Sequence, residues 1–401
     1  MREREAAVLM VIGAYDPEMS GGGVQCQELM RALTPSRAFL VLSVTTNASL
    51  PRRSTVDGIP VYRIVIDLKR VRSKLVAGLR LAWRFLRTCR RVRVVHLNGW
   101  SDKNVVLTLL AILFRKPILL TLHTAGYDEP PAVQARGRLA FWCYRRADAL
   151  VGVSSHFEAS YKAAGLPPQR FCVIPNGVDL DRFHPVDSPQ RAALRRQLGL
   201  SMEAFLILFV GFFSYDKGPR TLFDAWRRLQ RPGLPATNLV FVGTTRSSYF
   251  EIDRGLAQAI RDEAAAFGVQ DRMVFVESSG AMERYYQAVD SFVLPSIREG
   301  LPMALLEAMA SGLACVASRL PGSTDLLIND GIEGFLVEPG DVAQLSEAIE
   351  RLIAHPAQRQ AWGRQARERV AQDFSLQRMA QRYHAMYDRL RDAQCAREQR
   401  S

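Results

Sequence analysis

The chain has 401 residues, room for two domains of ordinary size and too many for one simple core. Its 48% hydrophobic and 23% charged residues are those of a globular protein and exclude disordered and fibrous classes. The net charge of +13 sits in one half: residues 1–180 hold 26 Lys and Arg against 13 Asp and Glu, while residues 181–401 hold 27 against 27.

The opening, MREREAAVLMVIGAYD, has no long apolar core ending at a small-residue cleavage site, so no secretory signal is expected. Short apolar, β-branched runs then recur, each followed by a stretch of helix length. In the first half they are AAVLMVIG (6–13), FLVLSVTT (39–46), VYRIVI (61–66), VRVVHLNG (92–99), PILLTLH (117–123), ALVGVSS (149–155) and FCVIPN (171–176). The longest apolar stretch, Val105–Phe114, is about half the ~20 residues of a spanning helix and predicts a buried one. After the Pro- and Asp-rich GVDLDRFHPVDSPQ come FLILFVGF (205–212), NLVFVG (238–243), MVFVE (273–277), FVLPS (292–296), ACVAS (314–318) and FLVEP (335–339). Strands without polar alternation, separated by helices, imply parallel sheets covered on both faces. Two such series predict two doubly wound, Rossmann-like α/β domains, over 1–182 and 190–375, with a linker near 180–190. Ligands of such sheets bind outside the carboxyl ends of the strands, so two facing edges would make a cleft.

Six cysteines (Cys26, Cys89, Cys143, Cys172, Cys315, Cys395) are scattered, with no C-x-x-C pair and no His at ligand spacing. This points to a reducing compartment without structural zinc.

The most specific motif is REGLPMALLEAMASG at 298–312, directly after a strand. Pro302 suits the first turn of a helix, which would place the amides of Gly300, Leu301 and Met303 at a positive terminus suited to a phosphate. Glu307 has no basic neighbour three or four residues away. It reads either as a surface glutamate or as the acceptor for a ribose diol. Glu299 reads as a favourable charge before a helix N-terminus.

The spacing from Glu299 to Glu307 inside EGLPMALLEAMASG resembles the retaining GT-B glycosyltransferases of family 4. IPNGVDLDRF (174–183), YQAVDSFVLPS (286–296) and GIEGFLVEPGD (331–341) resemble recurring segments of the same family, so the likeness covers nearly the whole chain. The resemblance implies GT-B architecture, two Rossmann-like domains facing a cleft, and a last segment, about 376–396, that crosses back to the first domain. It further implies a nucleotide-sugar donor held mainly by the C-terminal domain, Glu299 on donor-sugar hydroxyls and Glu307 on the ribose.

Lys217, in VGFFSYDKGP, reads by chemistry as an exposed turn lysine or as a cation for a diphosphate. It falls on the lysine of the family's G-R-x-x-x-x-K-G loop, which Gly211 opens, but Phe212 stands where the arginine is usual. Arg220, Arg246 and Arg298 are candidates to replace that charge. GGVQ at 22–25 resembles the family's glycine loop beside donor phosphate and acceptor, with Gly22 and Gly23 in contact and Gly23 closest. His123, ending PILLTLH, reads as a structural histidine or, by resemblance, as a residue near the donor sugar; His96 is a weaker candidate. Asp179-Leu180-Asp181 spells D-x-D but follows Pro-Asn-Gly, so a turn or cap is expected and no metal. No cofactor is expected; the nucleotide sugar is a substrate.

From Lys69 to Arg93 there are ten basic residues. At 100° per residue Leu75, Leu79, Ala82 and Leu86 share an arc beside Trp83, with Arg80, Arg84, Arg87 and Arg91 opposite. The stretch reads either as a helix on an anionic bilayer or as one covering the core under a solvated basic face. Relatives with lipid-linked acceptors tilt the reading to a cytoplasmic enzyme peripheral on the inner face of the membrane. Its acceptor would be a lipid-linked saccharide or a growing polysaccharide. Retention without an evident carboxylate nucleophile favours front-face displacement. The rivals are another GT-B enzyme, an epimerase or phosphorylase, and a basic nucleic-acid-binding protein, for which no binding module is found.

Overall fold

The computed structural model describes residues 7–18, 20–243, 252–253, 255–277 and 280–398. It divides into two compact units, Met1–Gly177 with Leu376–Ser401, and Val178–Ser375. The first unit holds β1 (Ala7–Ile12), β2 (Ala38–Thr45), β3 (Arg53–Val56), β4 (Ile59–Val65), β5 (Val92–Asn98), β6 (Ile118–Leu122), β7 (Ala149–Gly152) and β8 (Phe171–Val173). They form one sheet in the order β3-β4-β2-β1-β5-β6-β7-β8. All its pairings are parallel except β3 with β4. Of that edge hairpin, β4 answers to the run VYRIVI, whereas β3 is absent from the strands read off the sequence. Its signal is the two-residue turn Asp57-Gly58, both at positive φ, 51° and 78°, as a tight hairpin turn requires.

The helices of this part of the chain are α1 (Gly21–Leu33), α2 (Val71–Thr88), α3 (Lys103–Leu113), α4 (Pro130–Ala135), α5 (Arg138–Tyr144) and α6 (Ser155–Ala163). The apolar run expected to be a buried helix is α3, and only one side of it is buried. Asn104, Leu107, Thr108 and Ala111 are buried, whereas Leu109, Ile112 and Leu113 are exposed.

The second unit holds β9 (Phe205–Val210), β10 (Thr237–Val242), β11 (Met273–Val276), β12 (Ser291–Leu294), β13 (Ala314–Ser318) and β14 (Gly334–Val337), all parallel, in the order β11-β10-β9-β12-β13-β14. Its helices are α7 (Ser188–Gln197), α8 (Pro219–Arg228), α9 (Leu256–Ala266), α10 (Met282–Ala288), α11 (Met303–Ala310), α12 (Val342–Ala354) and α13 (Pro356–Asp373). An aromatic cluster of Phe209, Phe213 and Phe241 with Trp226 lies in its core. The last helix, α14 (Leu376–Glu398), returns to the first unit, where Tyr383 and Tyr387 join Leu29, Met30 and Phe39 in the core. Each such buried side chain contributes roughly 1.5–3 kcal/mol.

Each sheet reverses its winding once. β1 lies between β2 and β5, and β9 between β10 and β12. The loops leaving these strands therefore part at a switch point, where open α/β sheets bind ligands.

Candidate active-site residues

In the second unit the switch point joins the loop after β9 to the loop after β12. Lys217 ends a single 3-10 turn in the first, and its Nζ donates to both oxygens of Glu299 in the second, at 2.7 and 2.9 Å. Beside this pair the Arg298 guanidinium donates to Asp216. Gly218 lets the two loops approach so closely: it sits at φ 67°, and a Cβ there would run into the carbonyl oxygen of Pro295. Gly211 closes β9 with Lys217 Cβ within 3.9 Å of its own missing Cβ.

The helix of the EGLPMALLEA segment starts at Met303, one residue later than expected, with Pro302 as its extended cap (φ −74°, ψ 114°). Glu307 is buried at 9% exposure, which removes the surface reading of this residue. Its Oε2 accepts from the Tyr286 hydroxyl at 2.9 Å. Burial, and then the neighbouring carboxylate, push the Tyr286 phenol well above its ordinary pKa, so it remains a donor.

Arg220 does not reach this place. It donates to Asp224 on its own helix and to both oxygens of Glu263 on α9, bonds that raise its pKa. It is corrected from candidate diphosphate cation to structural residue. Arg246 lies outside the described residues. Asp179 Oδ1 accepts from the amides of Asp181 and Arg182 at 3.0 and 3.1 Å, the geometry of a turn cap.

In the first unit the glycine loop forms the first turn of α1, capped by Ser20, whose Oγ accepts from Gly23 N at 3.0 Å. Gly23 is buried, its amide is spent on that cap, and a Cβ on it would meet Ala14 O at 2.8 Å. Gly22 is the less buried of the two glycines. A Cβ on Gly22 would lie 3.4 Å from Asn98 Nδ2 and 3.7 Å from the His123 ring. Asn98 Nδ2 donates to Gly22 O at 3.0 Å, which fixes Asn98 Oδ1 as the acceptor for His123 Nε2. His123 is thus the Nε2–H tautomer by its network, with Nδ1 as acceptor. Burial holds its pKa down at about 4, so the ring is neutral near pH 7. Asp128, itself buried, accepts from the amides of Trp100, His123 and Thr124 at 2.7–2.8 Å and ties the ends of β5 and β6 together. His96 belongs to the core: Nδ1 pairs with Tyr387 Oη and Nε2 with Thr121 Oγ1, both at 2.7 Å. Its candidacy as a site residue is corrected on that ground.

The basic stretch forms α2, and its buried side is Ala77, Leu81, Phe85 and Thr88. The stripe of Leu75, Leu79, Trp83 and Leu86 is exposed, Leu79 at 72%. The helix does cover the core, as one of its two readings expects, but with that other, buried set of residues, and the stripe is left uncovered. Arg80, Arg87 and Arg91 are exposed, whereas Arg84 is half-buried with its guanidinium 4.1 Å from the Tyr62 ring centroid.

Comparison with known proteins agrees across both units. The family model described as Glycosyltransferase Family 4 matches residues 19–182, and that described as Glycosyl transferases group 1 matches residues 190–369. The D-inositol 3-phosphate glycosyltransferase of Geodermatophilus obscurus is 34% identical over 322 residues, covering 77% of this chain and 69% of its own. The chain belongs to the group 1, family 4 glycosyltransferases. This glycosyltransferase is also 28% identical over 396 residues to the alpha-maltose-1-phosphate synthase of Mycobacterium tuberculosis, covering 95% of this chain and 98% of that one. Its fold matches Anabaena Alr3699/HepE, solved in complex with UDP-glucose, with a TM-score of 0.77 at 18% identity over 95% of this chain and 99% of the other. The GT-B fold of the glycosyltransferase follows from such neighbours.

Three of the residues that organise these edges escaped the sequence reading. Tyr286 stands 21 residues before Glu307 and meets it only because α10 and α11 pack together. Asn98 ends the run VRVVHLNG at an expected binding edge with nothing in the sequence to show its partners, and Asp128 precedes Pro130 of α4 as any acid near a helix start does.

Proposed function

We propose that this glycosyltransferase moves a hexosyl group from a nucleotide sugar to a lipid-linked saccharide or growing polysaccharide with retention of configuration. The observation that carries the reading is the convergence of Lys217, Glu299 and Arg298 at the β9–β12 switch point. Buried Glu307 on the following helix supports it. A nucleotide diphosphate needs a cation, helix amides and an acceptor for its ribose diol. Lys217 with Arg298, the amides of Gly300, Leu301 and Met303, and Glu307 are groups of those kinds. Glu299 takes hydroxyls of the donor sugar, and in the first unit Gly22 and His123 Nδ1 serve the acceptor. The solved UDP-glucose complex of the structural neighbour supports a nucleotide-sugar donor.

In the transfer, the bond from the anomeric carbon to the diphosphate oxygen breaks and the bond to the acceptor oxygen forms on the same face. The acceptor's proton passes to the departing diphosphate oxygen. Lys217 stabilises the charge that develops there, an effect of preorganised electrostatics. We propose no metal and no cofactor for this step, so turnover should survive EDTA.

We further propose a peripheral enzyme on the cytoplasmic face of an anionic membrane, with the exposed stripe of α2 and Arg80, Arg87 and Arg91 toward the leaflet and Arg84 beside them. Among the described residues no helix is long and apolar enough to cross a membrane. A thermal-shift panel of UDP, GDP and ADP sugars tests the donor, since a ligand at 100 times its Kd stabilises by about 2.7 kcal/mol. The anomeric configuration of the product, read by NMR, tests retention. Absence of any nucleotide-dependent shift would overturn the donor assignment.

A further inference from the structure

Helix α3 carries no charged side chain from Asn104 to Leu113, yet Leu109, Ile112 and Leu113 are exposed, Leu113 at 72%. Its polar residues Asn104 and Thr108 are on the buried side, so the side left exposed is the aliphatic one. Its neighbours share the feature. Helix α2 packs against it, with Phe85 and Phe114 ring centroids 6.1 Å apart, and presents the exposed stripe described above. Helix α5 also packs against it and exposes Leu139 and Trp142. Side by side, the three helices expose far more apolar surface than scattered single residues would.

The charge on the three helices themselves has one sign, and Asp102, the exposed N-cap of α3, is the one acid between Leu68 and Tyr127. None of the three helices contains an Asp or Glu, and no acid occurs from Leu68 to Ser101 or from Lys103 to Tyr127. A tryptophan–arginine stack recurs at two places: the Arg87 guanidinium lies 4.4 Å from the Trp83 ring centroid, and that of Arg146 lies 4.7 Å from Trp142. A second copy of this face would bring like charge to like charge. Nucleic acid would satisfy the arginines but leave the leucines without a partner, because aliphatic tips do not stack on bases as aromatic rings do. An anionic bilayer accepts both, taking apolar tips into the headgroup–acyl boundary and holding basic residues at its surface.

We infer that the outward faces of α2, α3 and α5 form one docking surface for an anionic bilayer, entered by Leu79, Leu113 and Trp142; this rests on the membrane reading of α2 proposed above. The surface is wider than the basic helix alone, and it places α3 and α5 at the leaflet.

Cosedimentation of the full chain with phosphatidylcholine vesicles, with and without 30% phosphatidylglycerol (about one lipid in three, enough for a strongly negative surface), tests it. Wild type should bind the anionic vesicles, and binding should fall with added salt. Leu113→Ser with Trp142→Ser should lower partitioning by roughly tenfold or more with every arginine intact, since two apolar anchors are lost. Leu109→Ser with Leu139→Ser is the second pair, and circular dichroism melting checks that each variant folds. If both pairs bind like wild type while Arg80→Ser with Arg87→Ser binds less, the three-helix surface is refuted and the α2 reading stands. If wild type ignores anionic vesicles at low salt, both are refuted. If wild type is a dimer that the first pair makes monomeric, with no vesicle binding in either, the surface joins copies and the inference is refuted.

Discussion

The Lys217–Glu299 pair allows stability and catalysis to be separated by experiment. Exposed ion pairs contribute at most about 1 kcal/mol, and breaking a fully buried one costs about 3–5 kcal/mol. Here the Glu299 side chain is 9% exposed and that of Lys217 27%, so the pair falls between these cases, at about 2 kcal/mol. Lys217→Ala leaves a nearly buried carboxylate without its cation and should lower the melting temperature of the second unit by about 4–8 °C, at ~2–4 °C per kcal/mol for a unit of this size. It should also cut turnover by about 100-fold or more, the loss expected when one preorganised donor to developing charge is removed. Adding Glu299→Gln makes the orphaned group a neutral amide, so the double variant should regain most of the lost stability. Turnover should stay low, because nothing has replaced the cation. The assays are calorimetric melting and initial rates at saturating nucleotide sugar for wild type, both single variants and the double. Recovery of turnover in step with stability would show that Lys217 acts only through the fold. Near wild-type turnover of Lys217→Ala would remove it from the chemistry altogether.

Glu307→Gln should weaken nucleotide binding with the fold intact; Tyr286→Phe, which removes one bond to a charged acceptor, should cost about 1.5–3 kcal/mol in stability or donor affinity by calorimetry. Unchanged values for both would detach this pair from the ribose. Arg298→Gln should weaken donor binding by about tenfold, one charge-assisted contact, and Phe212→Arg in that background should restore it; failure to restore would show that the loop cannot aim a cation from position 212. Burial depresses the pKa of His96 to about 3 and of His123 to about 4, so between these values and about 6.5 the unfolded chain binds protons that the folded one does not. Stability of the first unit should therefore fall as pH drops from about 6.5 toward 4, with a shallower fall in His123→Asn, measured by urea midpoints across pH. An equal slope in that variant would contradict the neutral imidazole.

Parallel strands were legible because a strand buried on both faces is written as an unbroken apolar run, and all six runs of the second half are strands. β3, an edge strand with the alternating exposure of RSTV, carries no such run, and only its Asp-Gly turn betrays it. The candidate site was legible where chemistry is local: Glu299 and Glu307 share one segment, and Lys217 sits on a loop that announces itself by Gly218. What sequence could not supply was pairing across the sheet order. Residues 217 and 299 are far apart in the chain and meet because β9 and β12 are neighbours, as 98 and 123 meet through β5 and β6. Helix faces failed in the same way. The periodicity of α2 marks an apolar stripe, but the core is covered by a different set, Ala77, Leu81 and Phe85, which includes a small residue and a solitary aromatic and forms no conspicuous band. A hydrophobic pattern reports which residues avoid water, not which partner removes them from it. When a helix carries more apolar surface than its own core covers, as α2 and α3 do, the remainder is what the proposed bilayer contact would bury.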